Sequence, residues 1–286
     1  MYTSRKTIGS IYRPSALENF FLWEVFKLSQ DKPHWREVLA SFISRQIHDN
    51  TVVAVGTALP VPRAGVLLAH FTHAPNTTIV LGPYACNLLP FKNIISFEFF
   101  ADWRYSAYAE ATIGIDEIMG RAGLFDVFFV SGLQVDKFGN VNLFGIRGEK
   151  GGYRLKGPGP IGVASLTANS RRFIIYLERH DRRTLVDRCD LVSAMGWCRD
   201  GLHRDELGLG GGPEYIITPL AVFSFDTPSR EARLRYLMSG VSLEQVVSQT
   251  GFVFDYSNVE ELQQPTGEEL QVLRERVDPE GFLRQG

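Results

Sequence analysis

The sequence predicts an α/β fold, an open and mostly parallel sheet with helices on both faces, and three observations carry that reading. Short β-branched runs such as Thr51–Val55 and Thr77–Leu81 are apolar without alternation, as strands buried on both faces are. Between them Ala64–Thr72 reads as a helix, and strand–helix–strand is the pattern of a right-handed βαβ unit in a parallel sheet. Tight glycine turns carrying amide and charged side chains follow, above all the stretch from Gln134 to Asn142 (QVDKFGNVN).

A chain of 286 residues with 44% hydrophobic content can bury a substantial core as one large domain, or as a domain with an appendage. The net charge of −2 provides no basic field for nucleic acid. Cys86, Cys189 and Cys198 are an odd count at unpatterned spacing, which suits reduced thiols. No run approaches the roughly 18 apolar residues of a membrane span, and Arg5-Lys6 lead into no apolar stretch of a signal peptide. The expectation is a cytoplasmic protein that binds neither membrane nor nucleic acid.

Along the chain, residues 1–34 read as an N-terminal extension with an aromatic cluster, Phe20, Phe21, Trp23 and Phe26. The extension either packs on the body or a partner, or forms a surface helix. Residues 35–286 form the α/β domain. Trp35, Val38, Leu39, Phe42, Ile43 and Ile47 recur at helical spacing, so 35–48 is an amphipathic helix. After the two strands above, Ile113–Ala122 is helical and Asp126–Ser131 is a buried strand leading straight into Gly132–Asn142. Phe173–Leu177 and Leu191–Ala194 read as strands, and Tyr215–Thr218 with Ala221–Phe225 as a hairpin-like pair. Ser242–Thr250 is a helix whose N-cap is Ser242, with Gln245 three residues on as a capping box requires, and Thr266–Arg276 is the last helix.

Several residues carry two readings from chemistry alone. Cys86 is either a nucleophile near a strand end or an inert thiol in apolar company. Glu98, among Phe97, Phe99 and Phe100, is either a desolvated acid–base group or a solvated strand-face carboxylate. Gln134, Asn140 and Asn142 either meet a ligand at the carboxyl edge of the sheet or satisfy their own turn. Arg179, His180, Arg182 and Arg183 either meet phosphate or form a solvated cluster with Glu178 and Asp181. The six histidines lack zinc spacing, so no metal is expected. Gly157-Pro-Gly-Pro-Ile-Gly162 matches G-x-G-x-x-G as a string, but it follows a Gly- and Lys-rich loop, and Pro158 and Pro160 remove backbone donors.

Taken in order, Val52–Pro60, Ala74-Pro75-Asn76, Gln134–Asn142, Gly157–Ala164, Arg182-Arg183, Gly211–Thr218, Phe223–Asp226, Gly240–Phe252 and Asp278-Pro279 resemble the β subunit of class I coenzyme A transferases, closest to the glutaconate CoA-transferase type. The resemblance covers residues 36–282. It implies an open α/β fold, an α-type partner subunit in a hetero-oligomer, an acyl-CoA substrate and no bound cofactor, coenzyme A entering as part of the substrate. It also implies a CoA or acyl contact for Gln134, Asn140 and Asn142, and for the loop holding Gly157, Gly159 and Gly162.

In that family a glutamate at the end of the β subunit's second strand attacks the thioester, and covalent catalysis then proceeds through an anhydride and an enzyme–CoA thioester. Here Gly82 takes the glutamate's place, and neighbouring registers give Leu81, Pro83 or Tyr84. No carboxylate lies between Asp49 and Glu98. Two branches that this chain resembles lack the glutamate: a decarboxylase with cysteine there, and ring-opening hydrolases with glycine and a working carboxylate on the α subunit. Gly82 fits the second, and Cys86 fits the first only with a displaced loop. The resemblance therefore implies hydrolytic C–C cleavage or another lyase-like reaction. The alternatives are CoA transfer using a displaced carboxylate such as Glu98, decarboxylation, and a non-catalytic assembly subunit. The aromatic run from Phe91 to Tyr108 would wall a bulky acyl group, or else serve as core or subunit interface.

Overall fold

Helix α1 (Trp35–Ser44) begins where His34 turns extended, its ring accepting the Arg36 N–H while the Glu37 carboxylate accepts the His34 N–H at 2.9 Å. The structure, a computed structural model, describes residues 32–81, 85–87, 103–160 and 162–285. Residues 33–286 form one compact unit. After α1 the chain alternates as expected: β1 (Val52–Val55), α2 (Pro60–Phe71) and β2 (Thr78–Leu81). Then come β3 (Ala85–Cys86), β4 (Ala111–Thr112), α3 (Ile115–Gly120) and β5 (Val127–Val130).

From β5 the chain makes two small ribbons, β6 (Gln134–Val135) with β7 (Val141–Asn142), and β8 (Gly145–Arg147) with β9 (Tyr153–Lys156). Helix α4 (Val163–Asn169) returns to β10 (Arg172–Tyr176). A third ribbon, β11 (Cys198–Arg199) with β12 (Leu202–His203), precedes β13 (Pro213–Ile217), β14 (Ala221–Ser224) and β15 (Arg233–Leu237). The chain closes with α5 (Leu243–Gln249), β16 (Glu260–Glu261) and α6 (Gly267–Val272).

Ten of these strands form one sheet in the order β16-β15-β14-β13-β10-β5-β1-β2-β3-β4. Its centre, β13 through β2, is parallel, with antiparallel pairs on both flanks. Side chains alternate between two cores. Val53, Val55, Ile79, Leu81, Val127, Phe129, Ile174 and Tyr176 meet α1 and α2 on one face. Ala54, Val80, Phe128, Val130, Phe173 and Ile175 face the layer of Ile118, Val163 and Val246 on the other. Near-continuous apolar strands are required because both faces are covered.

Gly65 sets how closely α1 and α2 cross. A Cβ there would stand 2.6 Å from the Ile43 side chain and 2.7 Å from the Ala40 carbonyl, so any larger residue forces the helices apart. The C-terminal segment is tied to the same layer by an ion pair between Glu37 and Arg274, both almost fully buried, at 2.8 and 2.9 Å. Burial alone would raise the Glu37 pKa, but the Arg274 guanidinium and the His34 N–H outweigh it and hold the carboxyl below its ordinary value.

Two expectations change. Leu191–Ala194 is not a strand: the Ser193 and Ala194 amides both donate to the Val141 carbonyl, leaving a single bridge on the β7 edge. The last helix ends at Val272 and widens into a π-helical turn over Leu273–Val277, which brings Arg274 to Glu37. Ser242 does cap α5, its hydroxyl accepting the Gln245 N–H, but the reciprocal bond from the Ser242 N–H to the Gln245 side chain does not form, so the expected capping box is only half made. Among the described residues no helix is long and apolar enough to cross a membrane.

Candidate functional site

The parallel strands end together at Val55, Leu81, Val130, Tyr176 and Ile217, and open sheets of this kind hold ligands at that carboxyl edge. The turn from β1 to α2 is tight. Gly56 lies so close to β5 that a Cβ would sit 2.9 Å from the Phe129 carbonyl, and Ala58 is left-handed at φ 58°. Pro60 then starts α2 where a missing N–H costs nothing. Arg63, in the first turn, is fully buried, and burial pushes its guanidinium well below its ordinary value.

Leu81 is the last described residue of β2, paired with Val55 and buried. No carboxylate stands on either strand. Gly82 and Glu98 lie outside the described residues, as does the aromatic run from Phe91 to Phe100. Cys86 pairs with Val80 on β3 and is half-buried. Burial, and secondarily the Glu110 carboxylate, push its thiol upward, so it stays protonated at neutral pH. Glu110 was not visible as a candidate in the sequence. It accepts from the Asn87 amide at 2.8 Å, and Asn87 in turn accepts the Ile79 N–H, which places Glu110 on the amino side of Leu81.

The Gln134–Asn142 turn is a closed hydrogen-bond network. Asn140 Nδ2 donates to both Asp136 oxygens at 3.0 Å and to the Cys198 carbonyl at 2.9 Å, and its Oδ1 accepts the Gly196 N–H. Asn142 Nδ2 donates to Gln134 Oε1 at 2.7 Å and to the Gly145 carbonyl, while its Oδ1 accepts the Phe144 and Gly145 amides. Gln134 Oε1 also accepts the Asp190 N–H. All four side chains are buried. Burial raises the Asp136 pKa against the pull of its Asn140 and backbone donors. The Asn140 and Asn142 side chains are committed to holding the 189–198 loop and the root of β8. Gly139, at φ 73°, completes the turn, where a Cβ would stand 2.6 Å from Pro213.

The glycine loop before α4 is likewise internal. The Gly157 N–H donates to the Phe144 carbonyl and the Gly159 N–H to the Leu143 carbonyl, so neither is aimed at an anion. Gly159 (φ 95°) and Gly162 (φ 73°) are present for backbone shape. The loop does follow a strand, β9, but that strand belongs to an outlying ribbon and not to the parallel centre.

His180 leaves the charged cluster in which the sequence placed it. It is buried between the Thr218 and Thr250 hydroxyls at 2.8 and 3.0 Å and stacks on Phe223. Burial pushes its pKa down to about 4, so it is neutral. Asp181 caps the amides of Arg183 and Thr184, and Arg182 reaches the Ser248 carbonyl. Arg204, which sequence reasoning missed, is a buried clamp donating to the carbonyls of Gly210, Gly211, Met195 and Thr167. Among the described residues no group of three or more His, Cys, Asp or Glu could hold a metal ion.

A family model described as coenzyme A transferase matches residues 36–249. The β subunit of 3-oxoadipate CoA-transferase from Pseudomonas knackmussii is 30% identical over 247 residues, 83% of this chain and 91% of that one. The β subunit of glutaconate CoA-transferase from Acidaminococcus fermentans is 28% identical over 256 residues, 85% of this chain and 92% of that one. The crystal structure of that enzyme superposes with a TM-score of 0.76 at 26% identity, covering 89% of this chain and 98% of the other. The cholesterol ring-cleaving hydrolase IpdB subunit of Rhodococcus jostii is 28% identical over 167 residues, 51% of this chain and 57% of that one. The decarboxylase AibA/AibB superposes with a TM-score of 0.71 at 26% identity, covering 88% of this chain and 98% of that one.

Proposed function

The chain belongs to the coenzyme A transferase family as a β-type subunit that works with an α-type partner, and from that premise we propose that the pair processes an acyl-CoA by hydrolytic C–C cleavage or another lyase-like reaction. The observation that carries this is the missing carboxylate: none occurs between Asp49 and Glu98, and β2 delivers the buried, apolar Leu81 to the edge. Carboxylate-to-carboxylate exchange needs an oxygen nucleophile that becomes first an anhydride and then a thioester. Neither Leu81 nor Gly82 can supply one. Cys86 is no substitute while its thiol stays protonated.

In this reading the α-type partner carries the working carboxylate, and this chain supplies the acyl pocket and part of the CoA channel. The relatives named as a ring-cleaving hydrolase and as a decarboxylase support it, since both chemistries act on the acyl part. A second reading, CoA transfer with a displaced carboxylate such as Glu98, is favoured by the relatives named as transferases.

The test is mass spectrometry of products after the co-expressed pair meets a panel of acyl-CoAs with acetate. A gain of water or loss of carbon dioxide in the acyl part, without acetyl-CoA, is the expected result. Acetyl-CoA formation that disappears in Glu98→Gln would establish the transferase instead.

A further inference from the structure

We propose that the β8–β9 ribbon is the subsite for the 3′-phospho-ADP end of coenzyme A. The inference rests on the acyl-CoA reading above and names the part of the ligand that this surface takes. The ribbon is rooted at the carboxyl edge of β5. Asn142 donates to the Gly145 carbonyl at 2.8 Å, and the Gly157 N–H to the Phe144 carbonyl at 2.8 Å. Gly145 admits no side chain, since a Cβ would stand 2.8 Å from the Leu155 carbonyl and 2.9 Å from the Tyr153 ring.

Beyond that root the ribbon projects uncovered. Phe144, Tyr153 and Leu155 are 40%, 49% and 47% exposed. A two-stranded ribbon is marginal in water by itself, and three large apolar side chains left open on one mark a binding surface. Phe144 and Tyr153 have ring centroids 5.6 Å apart and planes tilted by 58°, and Tyr153 lies over Gly145, so it is the face of the single half-exposed Tyr153 ring that a flat ring stacks on.

Charge supplies the second observation. Residues 147–156 hold Arg147, Lys150, Arg154 and Lys156 against the single carboxylate of Glu149, in a chain of net charge −2. Among the described residues none of these four cations makes an ion pair. Exposed aromatic rings and four cations without ion pairs on one short ribbon fit an adenine nucleotide carrying several phosphates, with the arginines offering forked donors to phosphate oxygens.

Position agrees with chemistry. From β2, where the family's reacting group would sit, β5 is two strands away, about 10 Å at ordinary strand spacing. An extended pantetheine arm bridges from that edge to the ribbon.

Titration calorimetry of the full-length chain co-purified with its α-type partner tests this, using coenzyme A and 3′-dephospho-coenzyme A. The wild-type complex is expected to bind coenzyme A about tenfold more tightly, a gap that narrows with added salt. The triple variant Arg147→Gln, Arg154→Gln, Lys156→Gln is expected to bring the ratio close to one, and Tyr153→Ser to weaken both ligands. Arg182→Gln with Arg183→Gln is expected to leave the ratio alone. A triple variant that keeps the wild-type ratio overturns the proposal. So does one that loses the partner on size-exclusion chromatography, because the ribbon is then a subunit-docking surface. A wild-type complex with no affinity for coenzyme A at all would instead defeat the acyl-CoA reading on which the subsite depends.

Discussion

Replacing Asn140 by Asp is the sharpest probe of the network under the carboxyl edge, because it changes one donor group and almost no volume. In the native turn the Asn140 amide donates to both oxygens of Asp136 and to the Cys198 carbonyl, with Asp136 and Asn140 only 2% and 1% exposed. The new carboxylate removes all three donations. It leaves the Cys198 carbonyl unpaired at about 1–3 kcal/mol, and it sets two carboxylates in contact, so that one must hold a proton. Together these predict a loss of about 3–5 kcal/mol at pH 7.5, or a melting shift of about 6–20 °C.

The pH dependence gives a second readout. A carboxyl whose folded pKa is raised binds its proton more tightly in the folded chain. The penalty is therefore absent below the unfolded value of about 3.9, grows as pH rises toward the raised pKa, and is constant above it. Urea unfolding at several pH values should thus show the gap between variant and wild type widest at pH 7.5 and narrowing toward pH 4.5. A variant within about 1 kcal/mol of wild type, or a gap independent of pH, would refute the assignment of Asn140 as the donor that holds this turn.

Four further outcomes are expected. Cys86→Ser should leave turnover of the acyl-CoA within about twofold, measured by product formation, because a thiol raised by burial is not the nucleophile. His180 is held at about 4 against about 6.5 unfolded, so stability should fall by up to about 3 kcal/mol as pH drops from 6.5 to 4; His180→Gln should flatten that part of the profile in urea titrations. Glu37→Gln should cost about 3–5 kcal/mol by removing the carboxylate from its buried ion pair with Arg274, whereas Arg188→Gln, in an exposed pair with Asp200, should cost less than about 1 kcal/mol in the same assay. Gly65→Val should destabilise by about 1–3 kcal/mol or more, read as a lower urea midpoint, because its side chain must displace Ile43.

The parallel centre was legible because its strands are buried on both faces and therefore run apolar without a break, and β1–α2–β2 was readable as a unit for that reason. The two-residue strands β3, β4, β6, β7, β11, β12 and β16 were not legible. Nothing in so short a stretch marks it as a strand, and its pairing is set by what lies opposite in the fold. β15 was missed although Arg233 and Arg235 alternate with Leu234 and Tyr236 as a half-buried strand requires, because its arginines, paired with Asp226 and Glu260 in the fold, read in sequence as part of a charged run.

The site shows the same division. The Gln134–Asn142 turn announced itself through Gly139 and its amides. That its amides are buried as scaffold depends on Asp190, Gly196 and Cys198, which come from a loop far along the chain. His180 read as one of a charged run, since its partners Thr218 and Thr250 are distant in sequence. Arg204 gave no signal either, because its partners are backbone carbonyls, which any residue presents.

The most direct test of the central claim is the intact mass of this chain after the co-purified pair has been incubated with acyl-CoA and quenched in acid. The account predicts an unmodified chain while the acyl-CoA is consumed, because no carboxylate of this subunit takes part in covalent catalysis. A coenzyme A or acyl adduct that maps to a carboxylate of this chain would contradict it and restore the transferase mechanism.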